Sequence, residues 1–357
     1  MKTKIIRLRR FLFGLTSLFF RHLILLAFLI AAGLVILLGF KTKGFLQEAG
    51  LANISLFTFF KNPQTVLDST NNRTNFLILG IRGEGADSPD LTDTLLVLSY
   101  SYSDQQATLI SVPRDLWVSS LKTKINSVYH YGQFREPNGG GIQLAQSAIL
   151  ETLGLPIHYT AVIDFSFFQQ AIDQVGGVDV EVVTGFTDRE FPIPGLENAL
   201  PESSRYETIT FSSGRQHMTG ATALKFVRSR RAEGDEGTDI ARDRRQQQVT
   251  AALIQKLKSP AFFLQRRNLI SFYSLIRENL DTNLGERLYP ALVRIGLDSY
   301  RHPPKKIVLS YQPDKSGVAI LENPPVSPLY LNQWVLIARD NNWPALDQYL
   351  KNKLDRR

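Results

Sequence analysis

The chain has 357 residues, of which 43% are hydrophobic and 21% are charged, a balance typical of a folded globular protein rather than a disordered one. The formal net charge is +8, but residues 1–43 hold eight Lys or Arg and no Asp or Glu, so residues 44–357 are formally neutral. This distribution argues against a broad basic surface for DNA or RNA, and we expect no nucleic-acid partner. The chain contains no cysteine, which excludes disulfides, thiolate metal sites and thiol nucleophiles.

The N-terminal segment has the features of a membrane anchor. Residues 23–40 form an uncharged, apolar run that is long enough, as a helix, to cross a lipid bilayer. Six cationic residues precede the run and two follow it, namely Lys2, Lys4, Arg7, Arg9, Arg10, Arg21, Lys41 and Lys43. The positive-inside bias therefore predicts a cytoplasmic segment at 1–22, one transmembrane signal anchor at 23–40 and an extracytoplasmic remainder. A cleaved secretory signal is the alternative, although no convincing small-x-small cleavage site follows Phe40.

The remaining elements predict a juxtamembrane spacer at 41–73 and one extracytoplasmic α/β domain at 74–357. Short apolar runs predict strands at 76–79, 95–99, 108–112, 159–163, 178–183 and 306–311. Helical periodicity predicts helices at 143–153, 167–175, 239–257 and 262–297, helix or strand at 221–227, and helix or mixed structure at 331–350. Residues 185–207 are rich in Pro, Gly and charge and are interpreted as a loop or insertion. Strands and helices that mix without an internal repeat favour a layered α/β domain.

The first candidate for chemistry is Asp90-Leu91-Thr92-Asp93-Thr94, directly before the strand predicted at 95–99. Carboxylates in a loop at the start of a strand can bind a hard cation such as Mg²⁺, which prefers oxygen ligands. Asp and Thr are also common turn and capping residues, so a purely structural role is the alternative.

The second candidate is Val112-Pro113-Arg114-Asp115, directly after a predicted strand. The proline ends the strand, and the planar guanidinium of Arg114 can then bind a phosphate with two parallel hydrogen bonds. A routine surface salt bridge between Arg114 and Asp115 is the alternative.

The third candidate is a group of six arginines, at Arg228, Arg230, Arg231, Arg242, Arg244 and Arg245. If residues 239–249 are helical, Arg242, Arg245 and Gln246 share one helix face, and that face could bind a diphosphate. A solvated helix with many ion pairs is the alternative, because nearby acidic residues almost balance the arginines.

Several common catalytic patterns are missing from the sequence. The five histidines form no HxxxH pattern, and no GxSxG motif is present. The glycines of GIRGEG at 80–85 come without a Walker lysine or a complete dinucleotide fingerprint, so nucleotide binding is not supported.

Taken together and in order, several segments between residues 74 and 258 resemble the LytR-CpsA-Psr family. They are NFLILGIRGEG, DLTDTLLVLS, ATLISVPRDLWV, KINSVYHYG, VIDFSFF, QVGGVDVEV, GRQHMTGATALKFVRSRR and DIARDRRQQQV. The resemblance implies a three-layer α/β fold, a central mixed β-sheet flanked by helices, with an apolar tunnel for a polyprenyl-phosphate lipid. It also implies a phosphotransferase of the glycopolymer–peptidoglycan ligase type, which uses Mg²⁺. Such an enzyme moves a phosphate-linked glycan from a polyprenyl (undecaprenyl) pyrophosphate carrier to a hydroxyl of peptidoglycan or another cell-wall acceptor.

The resemblance also implies roles for individual residues. Asp93 matches a metal ligand, and the matches to catalytic, pyrophosphate-binding positions are Arg114, Arg228, Arg230 and Arg242, with Gln246 as a further pyrophosphate contact. Arg245 shares the predicted helix face of Arg242 and Gln246 and is expected to contact the pyrophosphate as well. The sequence departs from the family where an acidic residue is usual, at Arg82, and where a glycine is usual, at Ala241. The metal would then be held by Asp93 with Asp90 or Glu84, or be bound more weakly.

Two alternatives to the transferase stay open at this point. Water as the acceptor would make the protein a polyprenyl pyrophosphate phosphatase, and loss of turnover would leave a lipid- or wall-binding regulatory ectodomain. The base that deprotonates an acceptor hydroxyl is unassigned, with Asp115 and Asp239 as candidates. Residues 259–357 carry no motif and are interpreted as a completion of the domain.

Overall fold

The computed structural model describes Gly44 and residues 57–83, 88–193, 195–196, 198–257, 259–263, 265–301, 304–313 and 319–355. The predicted cytoplasmic segment, the predicted anchor at 23–40 and most of residues 41–56 lie outside this part of the chain. Within the described ranges, no helix combines the length and apolar character that crossing a membrane requires.

The strands are β1 (Arg73–Ile81), β2 (Thr92–Ser101), β3 (Gln106–Val112), β4 (Trp117–Val118), β5 (Thr123–Lys124), β6 (Tyr159–Ile163), β7 (Val178–Val182), β8 (Phe186–Pro192), β9 (Tyr206–Phe211), β10 (Gly214–Met218), β11 (Asp281–Thr282), β12 (Lys305–Val308), β13 (Leu321–Glu322) and β14 (Ile337–Ala338). The α-helices are α1 (Phe57–Phe60), α2 (Val128–Arg135), α3 (Gly140–Leu153), α4 (Phe165–Gln174), α5 (Gly220–Arg228), α6 (Asp239–Leu257), α7 (Pro260–Phe263), α8 (Arg266–Asn279), α9 (Tyr289–Arg301) and α10 (Trp343–Asp355). Short 3₁₀ turns lie at Pro63–Thr65, Ile125–Ser127, Glu202–Arg205, Gly234–Gly237, Glu286–Leu288, Pro328–Tyr330 and Arg339–Asn341.

A mixed sheet with the order β11-β6-β1-β2-β3-β12 forms the centre of the fold. Strands β1, β2 and β3 are antiparallel neighbours, whereas β6 pairs parallel to β1 and β12 parallel to β3. Both edge strands come from residues 259–357, since β11 pairs with β6 and β12 with β3. The part of the chain without recognisable motifs therefore completes the sheet.

Alternation along the central strands sends apolar side chains to both faces of the sheet. On one face, Leu77 packs in a core with Ile149 of α3 and Leu350 of α10. On the other face, Tyr100 packs with Ile295 of α9. Helices thus cover both faces, which confirms the predicted central mixed sheet flanked by helices.

A second hydrophobic core joins the pairs β7–β10 and β8–β9 to helices α4, α5 and α6. Residues 185–207 were interpreted as a loop or insertion, but they contain β8 and the start of β9, which pair as an antiparallel hairpin. A register shift between Asp188 and Phe191 puts both Phe186 and Phe191 in the core. This irregularity removes the two-residue alternation by which the strand could have been predicted.

The helix predicted at 262–297 is also wrong as one element, because α8 ends at Asn279 and the chain becomes extended at β11. There Thr282 donates its hydroxyl to the Thr160 carbonyl at 2.5 Å, and the Asn283 side chain accepts from the Thr160 N–H at 2.7 Å. These hydrogen bonds to β6 replace those of a continued helix. They are tertiary contacts, so the local periodicity of the sequence does not predict them.

Candidate pyrophosphate-binding site

The register of the central sheet collects four strand ends at one edge of the domain. Ile81 at the end of β1 faces Thr92 at the start of β2, and Gly80 faces Ile163 at the end of β6. Val112, the last residue of β3, faces Leu95 of β2. This register therefore brings together the residues that follow β1, β3 and β6 and Asp93, the second residue of β2.

Asp93 lies at the centre of this edge and is bound by two arginines. Arg114 donates from Nη1 to its Oδ1 at 2.8 Å, and Arg82 donates from Nε to its Oδ2 at 3.1 Å. Burial of Asp93 would by itself raise its pKa, but the charges of Arg82, Arg114 and Arg230, with the hydrogen bond from Arg82, outweigh burial and hold the pKa below its usual value. The carboxylate is thus ionised near neutral pH and surrounded by cations.

Two predicted arginines come from the end of α5, Arg228 as its last residue and Arg230 two residues later. The charge of Arg230 contributes to the lowered pKa of Asp93, after those of Arg82 and Arg114. The guanidinium carbon of Arg228 stacks 4.8 Å from the ring centre of Phe165 and 5.6 Å from that of Phe191. Phe165 is the first residue of α4, which follows β6 at the sheet edge. The structure therefore brings the predicted residues Asp93 and Arg114 into contact, with the charge of Arg230 acting on Asp93 and with Arg228 beside the adjoining helix start.

Asp188 of β8 fixes the segment that carries these arginines. Its buried carboxylate accepts from the Ser229 hydroxyl at 2.6 Å and from the Arg231 N–H at 3.2 Å. These bonds hold the main chain on both sides of Arg230. Asp188 was not predicted as a site residue, because it lies in the stretch that was interpreted as a loop or insertion.

Arg245 has a structural role in place of the predicted pyrophosphate contact. Its side chain is 1% exposed and donates to the carbonyls of Phe226 at 3.0 Å and Ser229 at 2.7 Å, and to both the carbonyl and Oε2 of Glu236 at 2.9 Å. It also stacks on Phe186, 4.6 Å from the ring centre. Unlike Arg242 and Gln246, with which it was predicted to share a helix face, Arg245 is buried in the second core, where it binds the end of α5.

Arg242 and Gln246 lie on the first turns of α6, where both are half-buried. The N–H of Arg242 donates to the Thr238 carbonyl at 3.1 Å, and the Thr238 hydroxyl accepts from the Ala241 N–H at 3.2 Å. The helix therefore begins with a capping residue at Thr238 and has no need of a glycine at 241. That Arg242 and Gln246 bind pyrophosphate stays a prediction.

The described carboxylates do not form a set that fits Mg²⁺. Both oxygens of Asp93 accept from arginines, and Asp90 lies with its Oδ2 at 3.6 Å from Nδ1 of His130. Glu84, the other expected ligand, lies outside the described residues. Among the residues whose positions are described, no group of three or more His, Cys, Asp or Glu is arranged to hold a metal ion. Asp115, a candidate base, is instead paired with Lys124 at 2.8 Å.

Comparison with known proteins agrees with this architecture. TagU of Bacillus mycoides (strain KBAB4) and TagV of Bacillus subtilis (strain 168), both named polyisoprenyl-teichoic acid–peptidoglycan teichoic acid transferases, are similar to this chain. TagU is 28% identical over 222 residues, which are 62% of this chain and 64% of TagU. TagV is 27% identical over 226 residues, which are 61% of this chain and 52% of TagV. The alignments therefore span between about half and two thirds of these relatives.

The fold is similar to the crystal structure of B. subtilis TagV, with a TM-score of 0.52 and 22% sequence identity over 81% of this chain and all of that one. A sequence model of the LytR_cpsA_psr family matches residues 52–316, about three quarters of the 357 residues. The sheet edge with its arginines lies inside the matched region. The chain therefore belongs to the LytR_cpsA_psr family.

Proposed function

We propose that this protein is a transferase that moves a phosphate-linked glycan from a polyprenyl pyrophosphate carrier to a hydroxyl of peptidoglycan or another wall polymer. The names of the relatives TagU and TagV support this class of reaction. The single observation that carries it in this chain is the convergence of Arg82, Arg114 and Arg230 on Asp93 at the sheet edge. Three guanidiniums around one carboxylate leave an excess of positive charge, which suits a phosphate-containing substrate.

In the proposed step, the acceptor hydroxyl oxygen forms a bond to the phosphorus that carries the glycan. The bond from that phosphorus to the bridging oxygen breaks, and polyprenyl phosphate leaves with the electron pair. The hydroxyl proton is released to solvent or to the leaving phosphate. Such transfers need positioning and charge neutralisation more than a strong nucleophile.

The arginines of the cluster supply both requirements. Arg114 is fixed by Asp93 and also lies, through Nε, 3.6 Å from Oδ2 of Asp115, so its guanidinium is held at the sheet edge before substrate binds. A guanidinium held in advance loses less freedom when it binds a phosphate, and it stabilises charge on the leaving oxygen without reorganisation. We further propose that residues 23–40 anchor the protein in the bilayer, because the carrier lipid resides there.

The test uses the full-length protein in detergent with a polyprenyl pyrophosphate-linked glycan. Release of polyprenyl phosphate is measured with and without peptidoglycan, and attachment of labelled glycan to peptidoglycan is measured in parallel. We expect release to depend on the acceptor and to fall about 100-fold or more in Arg114→Ala. Arg189→Ala is the matched control, because Arg189 is an exposed arginine of β8 whose ion pair, with Glu233 at 2.9 Å, includes none of Arg82, Asp93, Arg114 and Arg230. It should retain wild-type turnover.

The other functions give different results in the same assay. Release that proceeds at the full rate without peptidoglycan, with no attached label, would identify a polyprenyl pyrophosphate phosphatase. Lipid binding without any release would identify a lipid- or wall-binding regulatory ectodomain. Equal turnover of Arg114→Ala and the wild type would refute the assignment of the cluster as the active site.

A further inference from the structure

We propose that Arg82 binds the pyrophosphate of the substrate, and that Arg82, Arg114 and Arg230 together take the place of a bound divalent cation. The inference rests on the proposed function and deepens it, since it concerns how the same site neutralises its substrate. It departs from the Mg²⁺ that the family resemblance implies.

The position of Arg82 follows from the sheet and from the glycine beside it. Arg82 directly follows β1, whose last residue, Ile81, pairs with Thr92 of β2, and this register brings it next to Asp93. Gly83 has a φ of +82°, and a Cβ there would lie 3.0 Å from the side chain of Asp164. The chain therefore turns sharply at a position that favours glycine, against the residue that caps α4. Arg82 is held at the sheet edge by this turn.

The carboxylate that would bind a metal is already used by two guanidiniums. Arg82 binds Oδ2 of Asp93 and Arg114 binds Oδ1, so a cation that used the remaining lone pair of either oxygen would lie next to a guanidinium. These guanidiniums, and the charge of Arg230, would repel the incoming dication. Asp93 thus acts as a positioning residue for the arginines rather than as an open metal ligand.

The charge of the cluster suits a pyrophosphate without help from a metal. Three guanidiniums and one carboxylate sum to about two positive charges, and a pyrophosphate esterified at both ends carries roughly two negative charges, one per phosphate. In the described part of the chain, the hydrogen bond to Asp93 uses only Nε of Arg82. The N–H groups on its two terminal nitrogens are therefore left for an anion, and the Arg82 side chain is 30% exposed.

The test measures binding separately from turnover, with full-length protein in detergent. Binding of inorganic pyrophosphate is measured by isothermal titration calorimetry in the presence of EDTA. In separate samples without EDTA, Mn²⁺ binding is measured by electron paramagnetic resonance. We expect the wild type to bind pyrophosphate in EDTA and to bind Mn²⁺ no more tightly than about 1 mM. Arg82→Gln should weaken pyrophosphate binding about 10- to 100-fold, the loss expected for one charge-assisted contact, and Arg189→Gln should not weaken it.

A second variant tests the replacement of the metal directly. Arg82→Asp places a second carboxylate beside Asp93, and we expect it to bind Mn²⁺ at least about 10-fold more tightly than the wild type and to require Mg²⁺ for turnover. Wild-type Mn²⁺ affinity in the micromolar range, or pyrophosphate binding that is unchanged in a folded Arg82→Gln, would overturn the inference. If Arg82→Gln does not fold, Arg82→Lys keeps the charge without the fork and should bind pyrophosphate more weakly than the wild type.

The outcomes separate this inference from the proposed function. Turnover that is abolished by EDTA, with Mn²⁺ bound by the wild type, would refute the inference and leave the transferase proposal intact. Pyrophosphate binding in EDTA without any transfer or release would refute the transferase proposal and leave the arginine cluster as an anion site.

Discussion

Arg245→Ala distinguishes a structural arginine from a substrate-binding one. The wild-type side chain is buried and donates to the carbonyls of Phe226 and Ser229 and to Glu236. Alanine would leave two carbonyls at the end of α5 without their donor and remove one partner of a buried ion pair. Loss of one partner from a buried pair costs about 3–5 kcal/mol of folding free energy. At roughly 2 °C per kcal/mol for a domain of this size, Tm should fall by roughly 6–10 °C.

The measurement is thermal unfolding followed by tryptophan fluorescence, with Arg244→Ala as the matched control. Arg244 also pairs with Glu236, but its side chain is 49% exposed, so its removal should change stability by no more than about 1 kcal/mol. Folded Arg245→Ala should lose turnover only indirectly, through greater mobility of the segment around Ser229, whose carbonyl Arg245 binds. A wild-type Tm combined with lost pyrophosphate binding would refute this reasoning and return Arg245 to the substrate site.

Two further predictions concern the turn after β1 and the C-terminal helix. Gly83→Ala places a Cβ against Asp164, whereas the space at Gly139, where φ is +91°, is open, and either substitution costs about 1–2 kcal/mol for the left-handed backbone. Turnover should therefore fall in Gly83→Ala, and its Tm should drop by more than that of Gly139→Ala. Equal turnover and Tm in the two variants would show that the Asp164 contact is unimportant. Leu350→Ala, at a fully buried position of α10, should cost about 2–5 kcal/mol in chemical denaturation. The exposed Leu329→Ala should cost less than about 0.5 kcal/mol, and a negligible effect of Leu350→Ala would mean that α10 is not integral to the core.

Five of the six strands of the central sheet were predicted, because each contains an apolar run bounded by clear breaks, whereas β11 lies inside the helix predicted at 262–297. The strand predicted at 159–163 coincides with β6, and the helix predicted at 239–257 coincides with α6. Arg114 was predicted to stand at a strand end, and the structure has it there beside Asp93. Patterns of two and 3.6 residues report which face of an element is buried, and these elements obey them.

The sequence does not predict which partner a charged residue takes. Arg245 and Arg114 are both arginines near acidic residues, yet one closes a buried core and the other lines the sheet edge. The difference is set by the packing of α6 against α5. The sequence pattern does not predict that these two helices pack against each other. Arg82 illustrates the same limit: the sequence identifies it as a departure from the family, and only the register of β1 with β2 joins it to Asp93.

The cluster is assembled from two cores, and this divides its sensitivity to mutation. Arg82, Asp93 and Arg114 are carried by the central sheet, whereas Arg230 follows α5 and depends on Asp188 and Arg245 of the second core. Damage to the second core should therefore displace Arg230 while the pair of Asp93 with Arg114 persists. Because stabilisation of the substrate needs all of these charges in their correct positions, mutations in the second core should lower turnover before they lower the stability of the central sheet. The hairpin of β8 and β9, which carries Asp188, is then as much a part of the site's construction as the strand ends themselves.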